Sequence, residues 1–193
     1  MHPTISHIAE NSIAHEIGLQ KGDMLVEVNG HPVGDVIDYM YYSSKKDVID
    51  LKFQRGNKTY SFKIRKKEKL NIGFELKPFK IKLCRNKCIF CFVDQLPKGM
   101  RKSLYLKDED YRMSFLHGNY ITLTNLSLSE KARIIEQRLG PLYISVHTTN
   151  NDLRRKMLNN LKAPDILKEI HDFTSHKIRI HAQIVLCPGL NDG

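Results

Sequence analysis

The sequence predicts an α/β protein in which a small β-rich domain, residues 1–69, precedes a set of βα units with parallel strands, residues 70–193. Short β-patterned runs separated by glycine-containing turns fill the first part. From Phe79 onward, strand patterns alternate with helical patterns, which is typical of right-handed βαβ units and a parallel sheet. The 193 residues, 41% of them hydrophobic, suffice for one domain and a smaller second one.

The first part begins with a strand and a turn in ISHIAENS, after which Ser12 caps a short helix that ends at Gly18. A strand over Met24–Val28 lies between two glycine turns, and its alternation predicts that Leu25 or its neighbours pack inward. The apolar spacing in DVIDYMYYSS indicates a helix. VIDLKFQ and TYSFKIR are then paired strands joined by a turn at Arg55-Gly56-Asn57-Lys58.

Four strands and three helices are predicted in the second part. The strands are FKIKLC, GNYITLTN, PLYISVHT and KIRIHAQIVLCPGLND, and the helices are SLSEKARIIEQRLG (capped by Ser127 or Ser129 and ended by Gly140), NDLRRKMLNN and APDILKEIHDFTSH. The segment between Cys91 and Gly118 lacks a regular period and is expected to be a partly helical loop. Within it, Asp94 and Arg101 are either substrate contacts or ordinary surface charges.

Cys84, Cys88 and Cys91 fall within eight residues, whereas Cys187 stands apart as a small strand residue. This distribution favours metal binding over a disulfide framework. Thiolates are soft ligands for zinc or for iron–sulfur clusters. A spacing of three and then two residues lets one loop wrap three corners of a cubane and leaves one iron without a protein ligand. The alternative is a zinc site completed by Cys187 or by one of the nine histidines.

The chain has a formal net charge of +10 and a pI near 9.4, and much of the excess lies between Lys52 and Lys87. Such a surface favours anionic partners, nucleic acid among them, but it lacks interleaved aromatics and equally fits a solvated face. No run approaches the roughly 18 apolar residues of a membrane span, and the start lacks an apolar signal core. A cytoplasmic protein is therefore expected.

The block Asn11-Ser12-Ile13-Ala14-His15-Glu16-Ile17-Gly18-Leu19-Gln20-Lys21-Gly22-Asp23, followed by MLVEVNG, resembles a bacterial PDZ domain. The resemblance implies binding of an extended peptide or a C-terminal carboxylate by strand addition beside a glycine-containing loop. The candidate for that loop is Asn71-Ile72-Gly73-Phe74-Glu75-Leu76, which would require a permuted strand order. A docking or scaffolding role is the alternative.

The motif CRNKCIFC, with Phe90 directly before Cys91, resembles the CxxxCxΦC signature of radical S-adenosylmethionine (SAM) enzymes. The resemblance implies a [4Fe–4S] cluster on the three cysteines, whose open iron chelates SAM, and reductive cleavage of SAM to a 5′-deoxyadenosyl radical. It also implies that Phe90 lies beside the adenine. Arg85 and Lys87 would offset the negative charge of the cluster, or would be plain loop charges.

The Gly-Gly-Glu-like segment of that superfamily is missing, and Thr124 and Asn125 at the end of GNYITLTN are the candidate SAM contacts in its place. Its absence also favours a second class of function, a non-catalytic iron–sulfur electron-transfer or sensor protein with a PDZ-like interaction module. In ISVHTTNNDLRRKML, Ser145 and His147 share one face of the predicted strand. His147 is either a proton donor or substrate ligand, or a satisfied histidine of the barrel interior.

Taken together, these segments resemble a family of bacterial proteins that fuse an N-terminal PDZ-like domain to a radical-SAM-like barrel. Such barrels use about six βα units, and four predicted strands therefore imply a partial barrel and a chain shortened at its C-terminus. An enzyme is expected of the longer protein, and little activity of this piece alone. The resemblance supplies no substrate.

Overall fold

A computed structural model describes residues 2–65 and 72–192 and divides the chain into two compact units, Met1–Lys80 and Ile81–Gly193. The predicted domain boundary between residues 69 and 70 lies outside the described residues. The limits 1–69 and 70–193 therefore stay a prediction.

The first unit is rich in short antiparallel strands. Its elements are β1 (Ile5–Ile8), α1 (Ile13–Glu16), β2 (Met24–Val28), β3 (His31–Pro32), α2 (Val36–Ser44), β4 (Val48–Arg55), β5 (Lys58–Arg65) and β6 (Phe74–Leu76). One sheet has the order β3-β2-β4-β5, and β6 pairs antiparallel with β1. The helices and paired strands follow the sequence prediction, including the hairpin between β4 and β5.

Alternation along the strands builds the core of this unit. Ile49, Leu51 and Phe53 of β4 point inward with at most 1% of their surface exposed, and Leu25 of β2 is fully buried, as predicted. The predicted cap of α1 is also present, because the Ser12 hydroxyl accepts the His15 backbone N–H at 3.2 Å. Burial of such side chains contributes roughly 1.5–3 kcal/mol each before conformational entropy is counted.

The second unit combines four α-helices and long loops with a small parallel sheet in its described part. Its elements are a 3-10 turn (Lys102–Tyr105), α3 (Tyr111–His117), α4 (Leu128–Gln137), β7 (Leu142–Ser145), α5 (Asn151–Leu158), α6 (Ile166–Ser175) and β8 (Ile180–Gln183). Strands β7 and β8 pair in parallel, with Ser145 opposite Gln183. Ser127 caps α4 through a capping box with Glu130, and the helix ends at Gln137, ahead of the predicted Gly140. No helix in the described ranges is long and apolar enough to cross a bilayer.

Two of the four predicted parallel strands are absent as strands in the described part of this unit. FKIKLC contributes only the antiparallel bridge of Leu83 to Asp108, and GNYITLTN only the parallel bridge of Ile121 to Ile144. In the first segment, a polar side chain occupies a backbone N–H that a neighbouring strand would otherwise bond. The Asp110 carboxylate accepts the Lys82 N–H at 2.9 Å. The described residues thus form a two-stranded parallel sheet, not the predicted partial barrel.

The second of these segments also bends away from a strand. Leu123 has a φ of +63°, which a β-strand does not contain, and the Thr122 N–H is taken by the Glu109 carboxylate at 2.7 Å. The β-branched composition of GNYITLTN suggested a longer strand. The buried Glu109 carboxylate binds the backbone of this segment instead, and a local sequence pattern does not reveal such a distant partner.

Candidate functional site

The three clustered cysteines line one cavity of about 520 Å³ in the second unit, together with Phe90. This volume is in the usual range for small-molecule sites. The other residues that line the cavity are Phe92, Val93, Leu106, Lys107, Asp108, Glu109, Gly118, Asn119, Tyr120, Thr122, Ser145, His147, Gln183 and Val185. The structure therefore brings Cys84, Cys88, Cys91 and Phe90 together, as a shared site requires.

The cysteine loop is fastened to the last turn of α5. The Lys87 N–H donates to the Leu158 carbonyl at 3.2 Å, and the Ile89 N–H donates to the Met157 carbonyl at 3.0 Å. A helix leaves its last carbonyls without intrahelical donors, so α5 offers a ready anchor for this loop. The loop conformation thus depends on a helix more than sixty residues further along the chain.

Asn86, inside the cysteine motif, is a buried polar hub with 2% of its surface exposed. Its side-chain nitrogen donates to the Thr122 hydroxyl at 2.8 Å and to the Thr124 hydroxyl at 3.0 Å. Its side-chain oxygen accepts from the Asn160 amide at 2.7 Å. These bonds connect the loop to the segment after Ile121, which the spacing of the cysteines did not suggest.

The cavity disfavours free thiolates. Burial raises the pKa of Cys84, and burial followed by the neighbouring Cys84 and Cys91 raises the pKa of Cys88 to about 12. Thiols in such a place ionise only when a positive group or a metal compensates, and metal binding then releases protons. The site therefore needs a positive partner to act through sulfur.

Lys107 is the cation that reaches this wall. Its ammonium donates to the Asp94 carboxylate at 2.7 Å and to the Asn86 carbonyl at 3.2 Å, and it also faces the Cys91 thiol. The predicted counter-charges, Arg85 and Lys87, are exposed and do not line the cavity. Lys107 was missed because it lies outside the motif and meets it only in the folded chain.

Glu109 carries a buried carboxyl group in the same cavity. It is 3% exposed and accepts the Thr122 N–H at 2.7 Å, and the Leu123 and Thr124 N–H groups also face it. Burial raises its pKa in spite of these donors. Its place in the run KDEDYR gave no sign of this role, because polar runs in loops are usually exposed.

Arg154 of α5 is a fully buried guanidinium. It donates to the Thr122 carbonyl at 2.8 Å, to the Val146 carbonyl at 3.1 Å and to the Ser145 carbonyl at 3.2 Å. Its bonds tie the ends of two neighbouring segments together at the cavity wall. Arg154 therefore positions backbone and does not itself line the cavity.

His147 lies in the wall beside Phe90, with ring centroids 4.2 Å apart. The Val185 N–H donates to its Nδ1 at 3.2 Å, whereas its Nε2 is buried without a hydrogen-bond partner among the described residues. Burial, followed by the charge of Arg154, lowers the pKa of His147 to about 4. The ring is therefore neutral near pH 7, with its proton on Nε2.

The remaining predicted residues lie outside the cavity wall. The Thr124 hydroxyl bonds to Asn86, and the Asn125 carbonyl accepts from the Lys82 ammonium at 2.8 Å. Cys187 lies in the turn after β8 and not in a strand, with its thiol 3.7 Å from the Val185 carbonyl. The cavity-lining residues do not include Arg101.

The donor set fits a cluster better than a single ion. Within residues 2–65 and 72–192, no group of three or more His, Cys, Asp or Glu side chains converges closely enough to hold one metal ion. The thiolates that hold a [4Fe–4S] cluster can lie further apart than the ligands of one ion, because each thiolate binds a different iron atom. Three thiols line one cavity with Lys107 beside Cys91, whereas Cys187 is not among the residues that line it.

Fold and site define a two-part protein, an antiparallel β-rich unit followed by an α/β unit with a cysteine-lined cavity. The family model described as a Radical SAM-like domain matches residues 65–193, and the PDZ domain model matches residues 4–55. The chain belongs to the Radical SAM-like domain family and carries an N-terminal PDZ domain. This confirms the family resemblance drawn from the sequence.

Similar solved structures are PDZ domains. The HtrA3 PDZ domain bound to a phage-derived ligand is 32% identical over 31% of this chain and 58% of that chain, with a TM-score of 0.29. The PDZ domain of an SdrC-like protein from Listeria monocytogenes is 25% identical over 39% of this chain and 86% of that chain, with a TM-score of 0.32. No curated protein matches the chain.

Proposed function

We propose that Cys84, Cys88 and Cys91 hold a [4Fe–4S] cluster and that the protein is a radical SAM enzyme. The observation that carries the proposal is the placement of the three thiols on one cavity wall of a Radical SAM-like domain. When bound, the cluster and SAM supply a 5′-deoxyadenosyl radical by reductive cleavage, and this radical abstracts a hydrogen from the substrate.

The chain's own residues hold and shield this chemistry. Lys107 supplies positive charge beside Cys91, and Phe90 offers an aromatic face for the adenine of SAM. The apolar side chains of Phe92 and Leu106 also line the cavity, and a bound ligand would cover their exposed surface. Thr124 and Asn125 stay the polar contacts to SAM proposed from the sequence, although neither lines the described cavity and the Thr124 hydroxyl accepts from Asn86.

Anaerobic reconstitution tests the proposal. Protein that carries the complete set of βα units, after reconstitution, reduction with dithionite and addition of SAM, is expected to release 5′-deoxyadenosine, measured by chromatography, whereas residues 1–193 alone should release little. The Cys88→Ala variant is the control and should release none. A cluster that forms without any 5′-deoxyadenosine would reject the enzyme and leave the electron-transfer or sensor protein. The engagement of the Thr124 hydroxyl with Asn86 is the observation that favours this second candidate.

We also propose that the PDZ domain binds a peptide by strand addition along β6. Among the described strands, β6 pairs with β1 on one edge only, so its other edge is open to a further strand. The rings of Tyr39 in α2 and Phe74 in β6 pack with their centroids 5.2 Å apart, so α2 lies beside the open strand. This helix would provide side-chain contacts for a bound peptide. Gly73, at a φ of +89°, precedes the strand.

This peptide site is tested on the protein with NMR. A library of peptides with free C-terminal carboxylates should shift the amide signals of residues 73–76, and the same peptides with amidated C-termini should not. No shift with any peptide would reject strand addition and leave a docking or scaffolding role. The cytoplasmic location and a nucleic-acid partner stay predictions, the second checked by salt-dependent retention of RNA.

A further inference from the structure

The charged groups that line the cysteine cavity all have protein partners. Lys107 bonds to Asp94, and Glu109 accepts the Thr122 N–H. Asp108 accepts from the side-chain amide of Asn119 at 3.1 Å. A charged ligand entering the cavity would therefore have to break one of these pairs or stay unpaired, at a cost of several kcal/mol.

Three neutral polar side chains in the wall are different. Within the described ranges, His147 Nε2 is buried without a hydrogen-bond partner, and His147 is 2% exposed. Ser145 and Gln183 add a neutral hydroxyl and a neutral amide to the same wall. Buried polar groups are almost always bonded, and one left without a partner costs about 1–3 kcal/mol. A ligand that accepts from His147 Nε2 would remove that cost.

The three groups line one cavity at the end of the β7–β8 pair. Ser145, the last residue of β7, stands opposite Gln183, the last residue of β8. His147 follows two residues after β7 and lines the same cavity. We call Ser145, His147 and Gln183 the neutral wall.

His147 is held as a fixed donor. The Val185 N–H occupies Nδ1, and the Asn191 amide donates to the His147 carbonyl at 2.8 Å. The backbone of His147 has a φ of +65°, a strained conformation that surrounding contacts must maintain and that is frequent at functional sites. Nε2–H can therefore only donate, while Ser145 and Gln183 can donate and accept.

We propose that the neutral wall binds a planar, uncharged group with an acceptor beside a donor, namely a carboxamide of the substrate. Its carbonyl accepts from His147 Nε2, and its N–H bonds to the side-chain oxygen of Gln183 or Ser145. The apolar side chains Phe92 and Leu106 contact the rest of the ligand. The assignment of this ligand as substrate rests on the proposed function, whereas its binding requires no cluster.

Three probes of one shape test the proposal on the metal-free protein: benzamide, benzoate and benzylamine. Saturation-transfer NMR and titration should show benzamide binding about tenfold more tightly than either charged probe. Gln183→Leu and Ser145→Ala should each weaken benzamide about tenfold. Gln183→Glu keeps the shape and should shift the preference toward benzylamine. Gln95→Leu, an exposed glutamine of the same unit, is the matched control and should change nothing.

Several results would overturn the proposal. These are no benzamide binding, benzamide binding unaffected by the three Gln183 and Ser145 variants, or tighter binding of benzoate by the unaltered protein. Circular dichroism confirms that each variant is folded before its binding is compared. If Gln183→Leu does not fold, the isosteric Gln183→Glu still tests the same position. Benzamide binding without a cluster would reject the proposed function alone. Cluster assembly and SAM cleavage without benzamide binding would reject the neutral wall alone.

Discussion

The two units use their buried polar residues differently, although the first unit also holds one long-range pair, Asp23 with Arg55 across 32 residues. In the PDZ domain, buried Asp35 and Asp38 accept backbone N–H groups two to four residues away and so complete local turns and caps. In the Radical SAM-like unit, Asn86 and Arg154 reach Thr122 over 36 and 32 residues. Polar burial stabilises secondary structure in the first unit, and in the second it shapes a cavity.

This difference indicates where function lies. Apolar side chains fill the core of the PDZ domain, and its buried Asp23, Asp35 and Asp38 all have protein partners. The second unit buries an arginine, a glutamate and an unpartnered histidine nitrogen near one cavity, which costs stability unless a ligand or cofactor repays it. Departures from simple folding rules of this kind are expected at functional sites.

Replacing one of the three proposed cluster cysteines should have the largest effect, a loss of iron and sulfide from the second unit, and should leave the PDZ domain unchanged. After anaerobic reconstitution, Cys88→Ala should bind almost no iron or sulfide, against about four iron atoms per chain for the unaltered protein. Cys187→Ala is the matched control, because Cys187 lies outside the cavity wall, and it should load fully. Equal iron loss in both variants would favour a closed site that includes Cys187.

Removal of Arg154 should destabilise the second unit by about 3 kcal/mol, because three buried carbonyls lose their donor. Hydrogen exchange measured by mass spectrometry in urea can follow each unit separately. Arg154→Met should speed exchange in residues 81–192 and leave residues 2–65 unchanged. The neighbouring Arg155→Met removes a half-exposed ion pair with Asp152 and should cost less than about 1 kcal/mol. Equal effects would contradict a special role of Arg154.

The buried Asp23 should matter for the PDZ domain in a pH-dependent way. Its hydrogen bond to Arg55 at 2.6 Å, working against burial, holds its pKa below the ordinary 3.8. Because the folded pKa is lowered, the stabilisation is complete above pH 3.8 and is lost as the pH falls through the folded pKa. Asp23→Asn should lower the free energy of unfolding by about 2 kcal/mol near pH 7 and flatten its acid dependence.

Thermal unfolding of the PDZ signals between pH 2 and pH 7 measures this dependence. Glu27→Gln is the control, since the side chains of the Glu27–Lys52 ion pair are 39% and 40% exposed and the pair should contribute less than the buried Asp23. An acid dependence that survives Asp23→Asn would show that another carboxylate carries it.

The smallest effect is expected from removing the positive charge of Lys107 beside the proposed cluster. Lys107→Met should still load iron, but the reduction potential of the cluster should become more negative because a nearby positive charge is lost. Redox titration followed by electron paramagnetic resonance measures the change. Lys87→Met, an exposed charge of the cysteine loop, should leave the potential unchanged. A larger change in potential for Lys87→Met than for Lys107→Met would instead support Lys87 as the counter-charge of the cluster, as the sequence suggested.

The PDZ domain was predictable because its signals are local. Ser12 caps α1 by accepting the N–H of His15, three residues further along, and alternation in β4 marks Ile49, Leu51 and Phe53 as inward-facing. In the second unit α4, α5 and α6 were equally clear, and Ser127, one of the two expected caps, caps α4. Helix α3 lies in the segment that was expected to be a partly helical loop. The strands at 79–84 and 118–125 were wrong because Asp110 and Glu109 bind backbone groups that the local pattern assigned to a sheet.

By itself, the sequence determined the cysteine motif, the family and the helices, because spacing, capping and periodicity are properties of neighbouring residues. Only the tertiary structure decided which side chains surround the motif. It brought Lys107 and His147 to the cavity and left Arg85 and Lys87 in solvent. Contacts between segments far apart in the chain depend on how helices and loops pack, and no local pattern of residues encodes that packing.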